Sequence, residues 1–97
     1  MGAAVEVVKS GVKDFSHNQK TVGTTAVQLA ETNHAVYGVV IVPDLDADEK
    51  LYVGKTGVTA SNGLLVPAGG IMVPVSDPSQ LFVIASAADQ TVTWMVL

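Results

Sequence analysis

Short apolar runs alternate with short polar turns along most of the chain. Valine and threonine are frequent in these runs, and glycine or proline interrupts nearly all of them, which favours strands because β-branched side chains suit the pleat. Several turn-bounded runs at this spacing are typical of an all-β protein, an antiparallel β-sandwich or small barrel of about seven short strands. The runs that we interpret as strands are 21–30, 35–42, 51–54, 64–67, 71–75, 81–85 and 91–97.

The run at 35–42, AVYGVVIV, is the strongest of these strand candidates. It is apolar on both faces, so both should be covered, one by the core and the other by a partner chain. Residues 36–42 of this run and residues 51–53 predict a hairpin with an acidic loop at its tip and with Tyr37 facing Tyr52. Pro74 lacks a backbone N–H, so the run at 71–75 should be an edge strand or contain a bulge.

Residues 1–20 differ from the rest of the chain, because they hold three of the five lysines and lack the rhythm of strands and turns. We interpret them as an N-terminal arm or first strand, followed by a β-sandwich domain at 21–97. The apolar run from Val5 to Val8 is the part of this arm that suits a strand or a docking contact.

The composition favours an oligomer or an assembly subunit over a monomer. Hydrophobic residues make up 48% of the chain and charged residues only 14%, against a usual charged share of about 25%. Much of the surface must therefore be apolar or neutral, and large apolar patches usually mark contacts.

Charge and hydropathy argue against two classes of partner. The net charge is −4, the five lysines are scattered, and there is no arginine, so nucleic-acid binding is not expected. No apolar run approaches the roughly 20 residues of a membrane span, and the absence of cysteine excludes disulfides and thiolate metal sites.

The acidic loop is the first candidate for chemistry. Asp44, Asp46, Asp48 and Glu49 lie within six residues, and alternate aspartates can present oxygens to Ca²⁺. The glycine and the final glutamate that an EF-hand loop needs are missing. Two interpretations stay open, a solvated loop whose charges deter edge pairing and a weak cation site.

Neither the histidines nor the glycine-rich stretch carries a catalytic pattern. His17 and His34 lack the close spacing of a zinc motif and are interpreted as surface or turn residues. The stretch GKTGVTASNG contains Gly-Lys-Thr, but Glu49 stands where a phosphate loop has its first glycine, so tight turns are expected. We therefore expect no catalytic residues, no metal and no cofactor, and predict that the chain is not an enzyme.

Five segments, taken in order and with their spacing, resemble a small β-sandwich module common in the virion proteins of tailed bacteriophages. The resemblance covers residues 21–97. The segments are VGTTAVQL at 22–29, LYVG at 51–54, GVTASNG at 57–63, PAG at 67–69 and LFVIA at 81–85. The chain departs from the module in two features, a strand at 35–42 without the usual basic or polar residues and an unusually acidic loop after it.

The resemblance implies a structural virion protein without catalysis. The function expected from it is that of a decoration (cement) protein, which binds the major capsid protein at the capsid surface and stabilises the shell. It would act as a homo-oligomer, with a trimer favoured over a dimer, and the alternative is a tail, baseplate or fibre module for assembly or receptor binding. The arm would lie across neighbouring shell subunits, with Val5, Val7 and Val8 as the expected contacts.

Overall fold

The computed structural model of the chain describes residues 16–97, and Val5, Val7 and Val8 lie outside that part. Within residues 16–97 there are eight short strands, which confirms the all-β prediction, and a 3-10 turn spans Pro78–Gln80. The strands are β1 (His17–Val22), β2 (Val27–Gln28), β3 (Val39–Asp44), β4 (Leu51–Gly54), β5 (Leu64–Leu65), β6 (Ile71–Val73), β7 (Phe82–Ala85) and β8 (Gln90–Val96).

The strands form two four-stranded antiparallel sheets. Sheet A has the order β1-β8-β3-β6, and sheet B has the order β2-β7-β4-β5. Since the described strands divide between two separate sheets, the fold is a sandwich rather than a barrel. β5 and β6 are edge strands, and the edge position of β6 is one of the two expected from Pro74.

Alternation along the strands places the core between the sheets. In sheet A, for example, Trp94 lies opposite Ile41, which lies opposite Ile71, and this cross-strand row faces inward. Residues directly opposite each other on neighbouring strands lie on the same face of a sheet. When one residue of a cross-strand row is buried, the other residues of that row therefore also face the core. The buried core consists of Val22, Leu29, Ala35, Val39, Ile41, Leu51, Val53, Val66, Leu81, Val83, Ala85, Val92, Trp94 and Val96.

The predicted single strand at 21–30 is wrong. Its first residues end β1 in sheet A, and its later residues form β2 in sheet B. Between them the backbone bends at Thr24 and Thr25. The physical reason is that the chain passes from sheet A to sheet B here. Apolar and polar residues alternate in the same way before and after such a crossing, so the sequence pattern does not reveal it.

The predicted hairpin between residues 36–42 and 51–53 is also wrong. β3 pairs with β6 and β8, whereas β4 pairs with β5 and β7 in the other sheet. Tyr37 precedes β3, and its N–H donates to the Leu97 carbonyl at 2.8 Å. Tyr52 instead lies opposite Leu65 and Ile84. The acidic loop therefore connects two layers instead of capping a hairpin.

β1 crosses the sequence-based boundary at residue 20, so that residues 17–20 belong to sheet A. The carbonyl of Ser16 accepts a hydrogen bond from the N–H of Val96 at 3.0 Å, which continues the pairing of β1 with β8 by one residue. Within residues 16–97, no helix has the length and apolar character needed to span a bilayer.

Candidate functional site

The outer face of sheet A carries an apolar patch. Its central cross-strand row runs His17–Met95–Val40–Met72 from β1 to β6, and Val42 lies beside it on β3. We call these five residues the sheet A patch. Met72 is 46% exposed and Val42 is 39% exposed, although Val39 and Ile41 on the other face of β3 are in the core.

Polarity rises along sheet A away from this patch. The next row pairs Gln19 with Thr93, and Thr93 in turn lies opposite Val42. The row after that consists of Thr21, Thr91 and Asp44, which can all hydrogen-bond to water. The apolar part of the face is therefore confined to the end of the sheet where β1 begins.

A shallow groove crosses the sheet A patch. Its volume is about 360 Å³, and it is lined by His17, Val40, Val42, Thr93, Trp94 and Met95. The lining contains no carboxylate and no lysine, so the groove offers contact area rather than a place for an ion or a charged ligand.

Sheet B exposes a second apolar place on its edge strand. Leu64 is 57% exposed and Leu65 is 50% exposed. Leu65 continues an outer row through Tyr52 and Ile84, which are half-buried. Val58, from the loop after β4, is buried outside the core cluster and packs beside Gly54. That loop therefore shields part of the outer face of sheet B but leaves the leucines of β5 uncovered.

A third apolar place precedes β3. Val36 is 48% exposed and Tyr37 is 53% exposed, yet their backbone is held firmly. The N–H groups of Val36 and Tyr37 both donate to the Leu97 carbonyl, at 2.7 and 2.8 Å, and the N–H of Ala35 donates to the Ser76 carbonyl at 2.9 Å. Two apolar side chains are thus presented to solvent on a fixed backbone.

The acidic loop is anchored by one buried amide, Gln90. The Gln90 Oε1 accepts from the N–H of Asp46 at 2.8 Å, and its Nε2 donates to Asp46 Oδ2 at 3.0 Å and to the Ala88 carbonyl at 2.9 Å. At the other end of the loop, Ser86 Oγ donates to Glu49 Oε1 at 2.6 Å. The carboxylates of Asp46 and Glu49 are thereby used for loop structure.

No group of three or more metal-binding side chains comes together anywhere in residues 16–97. Asp44 and Asp48 are exposed, and a groove of about 440 Å³ beside the loop is lined by acidic residues on one side and by Leu65 and Pro67 on the other. The two interpretations of the acidic segment, a solvated loop and a weak cation site, both stay predictions.

The end of the glycine-rich stretch forms a turn held by hydrogen bonds among its own residues. Thr59 Oγ1 accepts from the N–H groups of Ser61 and Asn62, both at 3.2 Å, while Asn62 Oδ1 accepts from the N–H of Thr59 at 2.8 Å. The N–H of Gly63 donates to the Thr59 carbonyl at 2.8 Å. A phosphate cradle requires backbone N–H groups directed at the ligand, whereas these donors are used within the turn, as the tight-turn prediction requires.

Asp77 is a carboxylate that accepts hydrogen bonds from two backbone N–H groups. The N–H of Ser79 donates to Asp77 Oδ1 at 2.9 Å, and the N–H of Asn33 donates to the same oxygen at 3.2 Å. The hydrogen bond from Ser79 is the main reason why the pKa of Asp77 is lowered, while partial burial opposes it. This carboxylate caps the turn at Pro78–Gln80 and ties it to the loop before β3, which is a structural role.

The described surface does not test the predicted partner-binding residues. Val5, Val7 and Val8 lie outside residues 16–97, so their expected contacts stay predictions. His17 and His34 are both exposed, as predicted. The patch residues Val40, Met72 and Met95 were missed as a group, and the one signal for them was the run at 35–42 that was apolar on both faces.

Comparisons of the chain with protein-family models, with curated proteins and with solved structures find no match.

Proposed function

We propose that the chain is a non-catalytic structural protein of a tailed-bacteriophage virion, which binds the capsid surface as a decoration protein and stabilises the shell. The observation that carries the proposal is the number and placement of uncovered apolar side chains. Six large apolar residues are at least 39% exposed, and they lie at three separate places on a domain of 82 described residues. The six are Val36, Tyr37, Val42, Leu64, Leu65 and Met72.

Several separate apolar places suit a subunit with several neighbours. Exposed apolar patches mark contact surfaces, and a subunit on a shell touches neighbours on different sides. Each contact can be weak, because simultaneous contacts multiply into a strong attachment. A homo-oligomer, with a trimer favoured over a dimer, would bring several such contacts to the major capsid protein at once.

The resemblance to phage virion modules supports the same proposal. Two of its segments correspond to strands, 51–54 to β4 and 81–85 to β7, and two others form the loops on either side of β5. A small antiparallel sandwich is also the fold that the resemblance implies. The strand that departs from the module, 35–42, leads into β3 and contributes Val40 and Val42 to the sheet A patch.

The proposed mechanism is stabilisation by binding. A protein that binds only the assembled shell adds its interface free energy to that state and to no other. This requires no catalytic group, no cofactor and no nucleic-acid contact, in keeping with the scattered charges of the chain. Its place of action would be the outer surface of the virion.

The alternative, a tail, baseplate or fibre module, is favoured by a different feature. A polar groove of about 530 Å³ lies between β1 and the loop after β2. Amide side chains of Asn18, Gln28 and Asn33 line it together with Lys20 and Glu31, and such groups can hydrogen-bond to a receptor sugar.

The test is to locate the chain in particles. Phage particles would be purified by density gradient from an induced lysate of the bacterium that carries the sequence, and gold-labelled antibodies against the chain would be imaged by electron microscopy. We expect gold over the heads in many copies. Gold on tails alone would replace the decoration proposal by the alternative, and absence of the chain from the purified particles would contradict both.

A further inference from the structure

We propose that Asn62 and Gly63 form a modification site that the fold protects, at which Asn62 loses ammonia once the turn at residues 59–63 has opened. Asparagine is among the thermolabile residues. A following glycine has no Cβ, so it leaves the backbone nitrogen open to approach by the asparagine side chain. The inference does not depend on the capsid proposal, because it concerns the chemistry of the chain itself.

The reaction requires no partner other than water. The backbone nitrogen of Gly63 gives up its proton to solvent and attacks the side-chain Cγ of Asn62, so that a C–N bond forms and closes a succinimide ring. The bond from Cγ to the side-chain nitrogen breaks, and this nitrogen takes up a proton and leaves as ammonia. Water then opens the ring at either of its carbonyls, which leaves aspartate or isoaspartate at position 62.

Thr59 holds both reacting groups in the folded chain. The N–H of Gly63 donates to the Thr59 carbonyl at 2.8 Å, and Asn62 Oδ1 accepts from the N–H of Thr59 at 2.8 Å. The first bond shields the proton that must be lost, and the second fixes the amide whose carbon must be attacked. Thr59 Oγ1 also accepts from the N–H of Asn62 at 3.2 Å, so each polar group of Thr59 restrains this pair.

The packing around Gly63 opposes rearrangement of the turn. A Cβ at Gly63 would lie 2.8 Å from Tyr52 Cβ and 2.8 Å from Val58 Cγ2, and Val58 is buried. β5 begins at the residue after Gly63. To bring the Gly63 nitrogen onto the Asn62 side chain would break the bonds to Thr59 and disturb this packing, so the reaction should follow local opening of the turn.

The isoaspartate product would displace β5. In isoaspartate the backbone runs through the side-chain carbons, which adds one atom to the chain before Gly63. The carbonyl that accepted from Thr59 then belongs to the backbone, and the pairing of Leu64 with Val53 starts one atom late. The modification should therefore move the exposed leucines of β5, Leu64 and Leu65, and hinder correct closure of the turn.

Deamidation rates, measured by mass spectrometry of proteolytic digests, test the inference. The natural chain would be incubated folded in buffer and unfolded in guanidinium chloride, at the same mildly alkaline pH and temperature. We expect the peptide with Asn62 to convert about tenfold or more slowly in the folded chain, because only molecules with an open turn react. Asn33 precedes His34 instead of a glycine, so it should convert more slowly than Asn62 in the unfolded chain.

Thr59→Ala tests the part played by the turn itself. It removes the Oγ1 that accepts from the N–H groups of Ser61 and Asn62, and it should speed conversion in the folded chain by about threefold without changing the rate in the unfolded chain. Thr56→Ala, at an exposed threonine earlier in the same loop, is the matched control and should leave both rates unchanged. Urea midpoints would show that both variants are folded.

Either of two results would overturn the inference. The first is equal conversion of Asn62 in the folded and unfolded natural chain, which would mean that the fold gives no protection, and it can be recorded without any variant. The second is a folded Thr59→Ala protein that converts no faster than the Thr56→Ala protein, which would mean that the bonds of Thr59 do not restrain the reaction.

Discussion

Gln90 is the only buried polar residue among the described ones, and it is 2% exposed. Its amide makes three hydrogen bonds, two of them to Asp46, and no buried side-chain polar atom is left without a partner in the described part of the chain. Gln90→Ala should lower the free energy of unfolding by about 2–3 kcal/mol, since it removes these bonds and leaves a small cavity.

Urea unfolding of purified variants would measure this loss. Gln28→Ala is the matched control, because Gln28 is exposed and its Nε2 makes one hydrogen bond, to the Ser79 carbonyl at 3.0 Å. That variant should change the free energy of unfolding by no more than about 0.5 kcal/mol. Equal effects of the two substitutions would show that the buried amide does not anchor the acidic loop.

Asp77 should make the free energy of unfolding of the domain depend on pH in the acidic range. Because its pKa is lowered in the folded state, its contribution to stability is present above the unfolded pKa of about 3.9. The contribution is lost as the pH falls through the lower, folded pKa. We therefore expect Asp77→Asn to be less stable than the natural chain at pH 7 and to approach it below pH 4. Urea midpoints over a pH series test this, and a constant difference between the two proteins would contradict it.

Several residue-level features were predictable because their causes are local. Exposure of His17 and His34 follows from their polar surroundings, and the closed turn at Asn62 follows from the dipeptide Asn-Gly. The role of Gln90 was not predictable, because its partner Asp46 is 44 residues away along the chain. Nothing in the residues next to Gln90 indicates a buried amide.

At the scale of the strands, Gly38 fixes how β3 begins beside β6. Its φ is +150°, and a Cβ at this position would overlap the Val73 carbonyl oxygen and lie 2.9 Å from the Pro74 Cα. Both atoms belong to the backbone, at the end of the edge strand and at the residue after it, so they cannot rotate away. Gly38→Ala should therefore lower the free energy of unfolding by about 3 kcal/mol.

The control for this substitution is Gly69→Ala. Gly69 is exposed, its φ is not in the left-handed region, and a Cβ there would meet nothing within 4 Å. We expect its effect to be about 0.5 kcal/mol or less, measured by the same urea titration. A Gly38→Ala protein as stable as the Gly69→Ala protein would contradict the close approach of β3 and β6.

The elements themselves were more predictable than their partners. β4 was predicted at its observed bounds, and the edge position of β6 is one of the two alternatives that Pro74 indicated. The predicted pairing of β3 with β4 was wrong because both are apolar strands joined by a short polar loop. Such a pattern fits a hairpin and a crossing between layers equally well. Which sheet a strand joins is decided by long-range contacts that a local pattern does not contain.

For the whole molecule, the proposal of a trimer predicts the mass of the protein in solution. The chain has a mass of 10.0 kDa, so a trimer should give about 30 kDa by light scattering, and this value should hold over a dilution series when several contacts act together. The exposed leucines of β5 and the pair Val36 and Tyr37 are the surfaces available for it. A mass of one chain at every concentration would contradict a preformed trimer.

The sandwich was predictable at this scale, whereas its outer surfaces were predictable only in part. The low share of charged residues indicated an apolar surface, but its location depends on the register of β3, β6 and β8, which brings Val40, Met72 and Met95 together. Met72 and Met95 come from runs that gave no sign of sharing a face. The sheet A patch is therefore a property of the fold and not of any one segment.

The most direct test of the proposed function is the heat stability of phage particles that lack the chain. Purified chain would be added to particles from a deletion strain, and the temperature of DNA release would be followed with a fluorescent dye. We expect this temperature to rise and to saturate with added chain, while Leu64→Glu, checked for an unchanged urea midpoint, should raise it less. A release temperature that does not change at any concentration of the natural chain would contradict the proposal that it binds and stabilises the capsid.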